Sequence, residues 1–313
     1  RSQFPWLMQH GKAAIDLATG DYRDLATQPA HTSFDPLADD YAAAAFGAGL
    51  QRDGAEMRRD LAAASAAGSL KPGDPRALEA RWHDSSGIGD WPQAVSVAKA
   101  LIAYQTARKS TAPTSDWAGV SELQLATLYR PWLAHAEAMS GDLPSAAGLI
   151  AATPPDCYLC VRTRGQIAAA ARDWSGADHW FAEAVRQAPD LPSAYSEWGA
   201  MLLAKGDADG AIAKLEQAQQ KGPHFADPLE LWGEALMKKG DYAGALTKFA
   251  EADGDAPRWG RNHMRWGEAL MLSGRYAEAR AQYETANGLD LSKPDRAALD
   301  VLLARTATGP LHG

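Results

Sequence analysis

The chain has 313 residues, of which 46% are hydrophobic and 22% charged; its net charge is −8 and it carries two cysteines. Such a composition is globular rather than disordered. The acidity argues against nucleic acid as the main partner, and two cysteines exclude a scaffold built on disulfides. No apolar run reaches the ~18 residues of a membrane span, so no direct membrane insertion is expected of this stretch.

The pattern is Ala-rich and helical from end to end. In the first half, turn signals fall at Gly20-Asp21, near Gly54, at Gly89-Asp90 and at Gly141-Asp142. The interval from Gly89 to Gly141 is 52 residues, longer than its neighbours. It contains the stretch Arg108 to Asp116 (RKSTAPTSD), which reads as an inserted loop. Next come Cys157 and Cys160. Two thiols at i and i+3 share a helix face and could form one edge of a metal site or close a disulfide. The plainer reading is two small apolar residues opening a helix.

From residue 156 the sequence becomes periodic. Trp198, Trp232 and Trp266 stand 34 residues apart, each followed by glycine (Gly199, Gly233, Gly267). The same interval joins Leu202, Leu236 and Leu270, and Gly206, Gly240 and Gly274. It also joins Ala211, Ala245 and Ala279, then Leu215, Phe249 and Tyr283, and then Ala218, Ala252 and Ala286. Pro189, Pro223 and Pro257 mark the joints, and Gly165, Ala177, Phe181 and Ala184 complete an earlier unit in the same frame. A mid-helix glycine costs ~1 kcal/mol against alanine, so Gly199 and its equivalents predict a helix that approaches its neighbour closely. After the last unit, Ser292, Pro294 and Asp295 predict a helix start, with Leu299, Leu302 and Leu303 on one stripe.

This pattern resembles the tetratricopeptide repeat, a 34-residue helix–turn–helix unit with small residues at its eighth, twentieth and twenty-seventh positions and proline near its thirty-second. Gly199, Ala211, Ala218 and Pro223 occupy those positions in one unit. One departure is that tryptophan stands at the seventh position, whereas the fourth holds Tyr195, Leu229 and His263. The resemblance implies an all-α protein, a right-handed α-α superhelix of about eight helix pairs. It divides the chain into divergent repeats over residues 1–155, regular units over 156–291 and a capping helix over 292–306.

Signatures of chemistry are missing from the sequence. It contains no Walker phosphate loop, no HExxH and no G-x-S-x-G, so neither a catalytic residue nor a cofactor is expected. Five tryptophans outside the register, Trp6, Trp82, Trp91, Trp117 and Trp132, are expected in the core, with one or two open to binding. By the resemblance, a partner lies in the concave groove lined by the first helix of each unit. The candidate residues there are Arg162, Gln166, Asp227, Glu230, Glu234, Met237, Arg261, Met264, Arg265 and Glu268. The competing reading is that these charges only pair with each other across adjacent helices. The expected function is a non-catalytic scaffold that binds a peptide or partner protein. The alternative is a sensory or regulatory module cut from a larger bacterial signalling protein, which the start at Arg1 suggests. The chain is expected to be soluble, and cytoplasmic in preference to periplasmic.

Overall fold

A computed structural model describes residues 52–66, 73–111 and 121–307. Among them are fourteen α-helices, one π-helical turn and no strand. A lone helix α1 (Gly54–Ala66) leads the array. Six pairs follow: α2 (Pro75–Ile88) with α3 (Trp91–Thr111), α4 (Arg130–Met139) with α5 (Leu143–Ala151), and α6 (Tyr158–Ala170) with α7 (Trp174–Gln187). Then come α8 (Pro192–Lys205) with α9 (Ala208–Lys221), α10 (Ala226–Lys238) with α11 (Tyr242–Asp255), and α12 (Gly260–Leu272) with α13 (Tyr276–Asn287). Helix α14 (Lys293–Ala307) closes the end. Each pair packs internally and on the pair that follows it. The signal at Gly20-Asp21 lies outside the described residues. Of the expected loop at 108–116, residues 108–111 are the last turn of α3, and the remainder also lies outside the described residues.

The turns form where the sequence places them. Gly89, Gly141, Gly206, Gly240 and Gly274 take left-handed φ values between 75° and 95°, and Arg172 does so at 58°. At four of these turns the aspartate that follows does a second job. Asp142, Asp173, Asp207 and Asp241 each accept a hydrogen bond from the backbone N–H three residues on, at 2.9–3.0 Å. One dipeptide therefore ends the first helix and caps the second. Near Gly54 the left-handed residue is Arg52, at φ 62°, and Gly54 itself opens α1.

The 34-residue period is a packing period. Ala211, Leu215 and Ala218 are fully buried, as are Ala245, Phe249 and Ala252, and Ala279, Tyr283 and Ala286. At Gly233 a Cβ would stand 2.6 Å from the Phe249 ring, so the first helix lies directly on that ring only because the side chain is missing. The fourth-position residues Tyr195, Leu229 and His263 are buried inside the hairpins. The Tyr195 hydroxyl donates to the Pro189 carbonyl, and the His263 ring meets the equivalent Pro257 carbonyl. The seventh-position tryptophans are only half-buried. Lys214 sits over Trp198 at 3.5 Å and Lys248 over Trp232 at 4.3 Å, so these two rings are each roofed by a lysine of the second helix.

The C-terminal helix starts as the sequence implies, with the Asp295 N–H donating to Ser292 Oγ at 3.2 Å. Leu299 is buried, and Leu302 and Leu303 pack on the last unit. That stripe covers the stacking face a final repeat would otherwise expose.

Candidate functional site

Successive first helices α2, α4, α6, α8 and α10 line the inside of the curve and border a cavity of about 630 Å³ that is open to solvent on part of its rim. Its floor is aromatic. Trp82 and Trp132 stack with ring centres 5.0 Å apart and planes 8° from parallel. His83 meets Trp132 edge-on at 5.2 Å, and His135 lies against Trp91 at 5.1 Å. Burial pushes the His83 imidazole down to about 3 and His135 down to about 4, and the nearby Arg52 and Arg162 add to the effect. Both rings are neutral at physiological pH. Helix α4 is entered through a π-helical turn, Leu125–Tyr129, whose last residue is buried and donates its hydroxyl to Glu79. Trp132 and His135 follow within the next two turns and line the cavity.

The charged groups lining this space form two pairs. Arg162 on α6 binds Glu197 on α8, with Nε 3.0 Å from Oε2. Arg52 forms an ion pair with Asp227 on α10 and covers the Trp259 ring at 4.2 Å. Arg52 precedes α1 by two residues, so this contact joins the first described helix to the fifth pair. Two further contacts reinforce it. Arg258 Nε is 2.9 Å from Asp53 Oδ2, and Arg58 donates to both carboxylate oxygens of Asp290 at 3.1 and 3.2 Å. The two ends of the described array meet, and Arg52 closes one side of the cavity.

The expected groove residues divide into two groups. Arg162, Gln166 and Asp227 line the cavity. The others do not form an open surface there. Glu230 is 1% exposed and Met264 0%. Arg261 on α12 reaches back to α10, 3.0 Å from Glu230 and 2.5 Å from Glu234. Arg265 stands 3.2 Å from Glu234 and 2.8 Å from Glu268. Burial raises the Glu230 pKa above the ordinary glutamate range. Burial opposes the Glu234 charge too, but the Arg261 and Arg265 guanidiniums outweigh it and hold that carboxyl low. These side chains join neighbouring first helices, which is the inter-helix pairing the sequence left open. Met264 packs into the last core with Tyr283 and Leu299, and Met237 packs beside Phe249 and Ala269. The cavity tryptophans carry no periodic signal. Trp82 is buried at 3% exposure, whereas Trp91 and Trp132, expected in the core, are half-buried and pack against it from the cavity side. Trp6 and Trp117 lie outside the described residues.

Cys157 and Cys160 are joined by a disulfide at the start of α6. Cys157 is the N-cap, and its sulfur accepts the Cys160 N–H at 3.2 Å. Bonded to each other, the sulfurs offer no thiolate to a metal. Among the described residues no group of three or more His, Cys, Asp or Glu side chains could hold a metal ion, and no helix there is long and apolar enough to cross a membrane.

No protein-family model and no curated protein matches the sequence. Solved structures do match. TTC0263 of Thermus thermophilus, a thermophilic TPR protein, aligns with a TM-score of 0.51 and 18% identity, over 58% of this chain and 100% of that one. PilW, a type IV pilus biogenesis factor, gives 0.49 and 17% over 58% and 86% of the two chains. PilF of Pseudomonas aeruginosa gives 0.49 and 15% over 58% and 85%. At such identities the likeness is one of fold. The chain is a tetratricopeptide-type helical solenoid, with its units departing from the usual pattern at the tryptophan position.

Proposed function

We propose that the chain is a non-catalytic protein-interaction scaffold that holds a peptide or partner protein on its concave face. The observation that carries this reading is that α6, α8 and α10 present Arg162, Gln166, Glu197 and Asp227 to one continuous space. A groove shared by consecutive units is a surface on which one partner can touch several repeats at once. The reading favours binding over catalysis because the two cavity histidines pack against indole rings and are neutral, rather than poised between a base and a nucleophile. It favours protein over nucleic acid because the cavity arginines are already paired with carboxylates.

The test is affinity capture from native lysate with a Gln166→Arg/Ala200→Arg variant, which puts two new cations on the concave wall and leaves the existing ion pairs in place. Helicity should be unchanged and the wild-type partner should be lost. A partner captured equally by both proteins would place the contact elsewhere.

A further inference from the structure

The cavity has a property that an open peptide groove does not need: it is closed at one side by its own chain. Arg52 spans from the start of α1 to Asp227 and the Trp259 ring, with its stem 3.1 Å from where a Cβ on Gly87 would be. An extended peptide running the length of the concave face would have to displace this side chain. A compact ligand would not.

We propose that the central cavity is a binding site for an uncharged, largely aromatic small molecule, held between the Trp82–Trp132 stack on one wall and α8 and α10 on the other. Three observations carry this. The volume, about 630 Å³, lies within the roughly 300–1,000 Å³ of ordinary small-molecule sites. The lining is mainly apolar, with indole, imidazole, Phe225 and Met201 surfaces presented together, and flat π-faces select flat ligands. The four charged lining side chains cancel as two arginine–carboxylate pairs, so an ionic ligand would have to break a pair to gain one. Polar selectivity comes from a few groups at the rim. Gln166 and Ser196 reach the space from α6 and α8. Because α2, α4, α6, α8 and α10 all contribute, such a ligand would bridge the two ends of the array and hold the closed form, as anything that binds only the native state does.

This assignment stands apart from the peptide reading and is tested separately. The probe is N-phenyl-1-naphthylamine, a neutral aromatic amine whose fluorescence rises in apolar surroundings, titrated into the full chain. We expect saturable binding of one probe per chain, displaced by free indole. An Ala200→Trp variant puts an indole into the cavity beside α6 and should weaken binding at least tenfold. An Ala213→Trp variant adds the same ring on the exposed face of α9 and should bind as the wild type does. Circular dichroism of both variants establishes that they fold. Unsaturable binding, or equal binding by the Ala200→Trp protein when it is folded, overturns the assignment. So does displacement by a capped Ala-Trp-Ala peptide at far lower concentration than by indole, because the site would then take a partner's side chain. Probe binding without any captured protein keeps this site and removes the scaffold; a captured partner without a saturable probe site does the reverse.

Discussion

Gly233 and Gly254 sit in consecutive helices and ask opposite things of a methyl group. At Gly233 the new Cβ would lie 2.6 Å from the buried Phe249 ring, whereas at Gly254 nothing stands within 4 Å. Overpacking of a close contact costs ~1–3 kcal/mol, and replacing a helical glycine by alanine returns at most ~1. Urea unfolding should therefore show Gly233→Ala destabilised and Gly254→Ala stabilised by roughly 0.5–1 kcal/mol. Equal effects would mean that the repeated glycines are not contact sites. The capping aspartates are tested in the same way. Asp207→Ala removes the bond to the Gly210 N–H and should cost about 1 kcal/mol. These residues were legible in the sequence because each is fixed by its own hairpin, and a local cause repeats with the unit. The aspartates' capping role was less obvious, because the turn glycine beside them explains the turn on its own.

At the scale of the elements, adjacent first helices are tied by charge where the regular repeats meet. Arg261 holds the enclosed Glu230 at 3.0 Å. Arg261→Met leaves that carboxyl, whose pKa burial already raises, without this partner and should cost about 1–3 kcal/mol, while Glu230→Met/Arg261→Met together should recover part of the loss, Glu234 keeping Arg265. Additive losses in the double variant would show that the two side chains do not act as a pair. The structure carries these residues on the first helices of their units. The periodic pattern could not show that they face the next unit, because period alone fixes the helix and not the small rotation between units.

The π-turn and the cavity histidines belong to this scale too. His83 and His135 are neutral in the folded protein, pushed down by burial to about 3 and about 4 from an ordinary 6.5. Unfolding lets both take up protons below pH 6.5, so their contribution is whole above that pH and is lost as the pH falls. Asp84 acts in the opposite sense. Burial, with Asp290 beside it, pushes its carboxyl up to about 6, so its share of stability is lost as the pH rises through that value. Comparison with a His83→Gln/His135→Gln variant isolates the imidazoles. Between pH 6 and 5 the wild type should lose stability faster than the variant, by up to about 1.4 kcal/mol per pH unit for each ring. Parallel pH profiles would mean that the rings are open to water.

For the molecule as a whole, stacking in order gives curvature, and curvature brings Arg52, Asp53 and Arg58 onto Asp227, Arg258 and Asp290. The partners of two of these pairs stand 175 and 232 residues apart in sequence, and nothing repeats with them. No periodic reading could have anticipated the closure, nor the cavity it borders. The tryptophans that line that cavity fall outside the 34-residue register for the same reason: they border a space made once, not a packing made in every unit. The C-terminal units were readable from Gly165 onward, whereas the joining of the ends had to be seen in three dimensions.

Closure is also the claim on which the cavity depends. Its most direct test is a pulsed electron-spin distance measurement between labels on Arg59→Cys and Lys293→Cys, two exposed positions beside the Arg58–Asp290 contact, with the native cysteines held in their disulfide. The closed array predicts a single short, narrow distance, which lengthens and broadens when Arg52→Ala and Arg58→Ala are added. A long, broad distribution in the otherwise native protein, unchanged by those two substitutions, would contradict it.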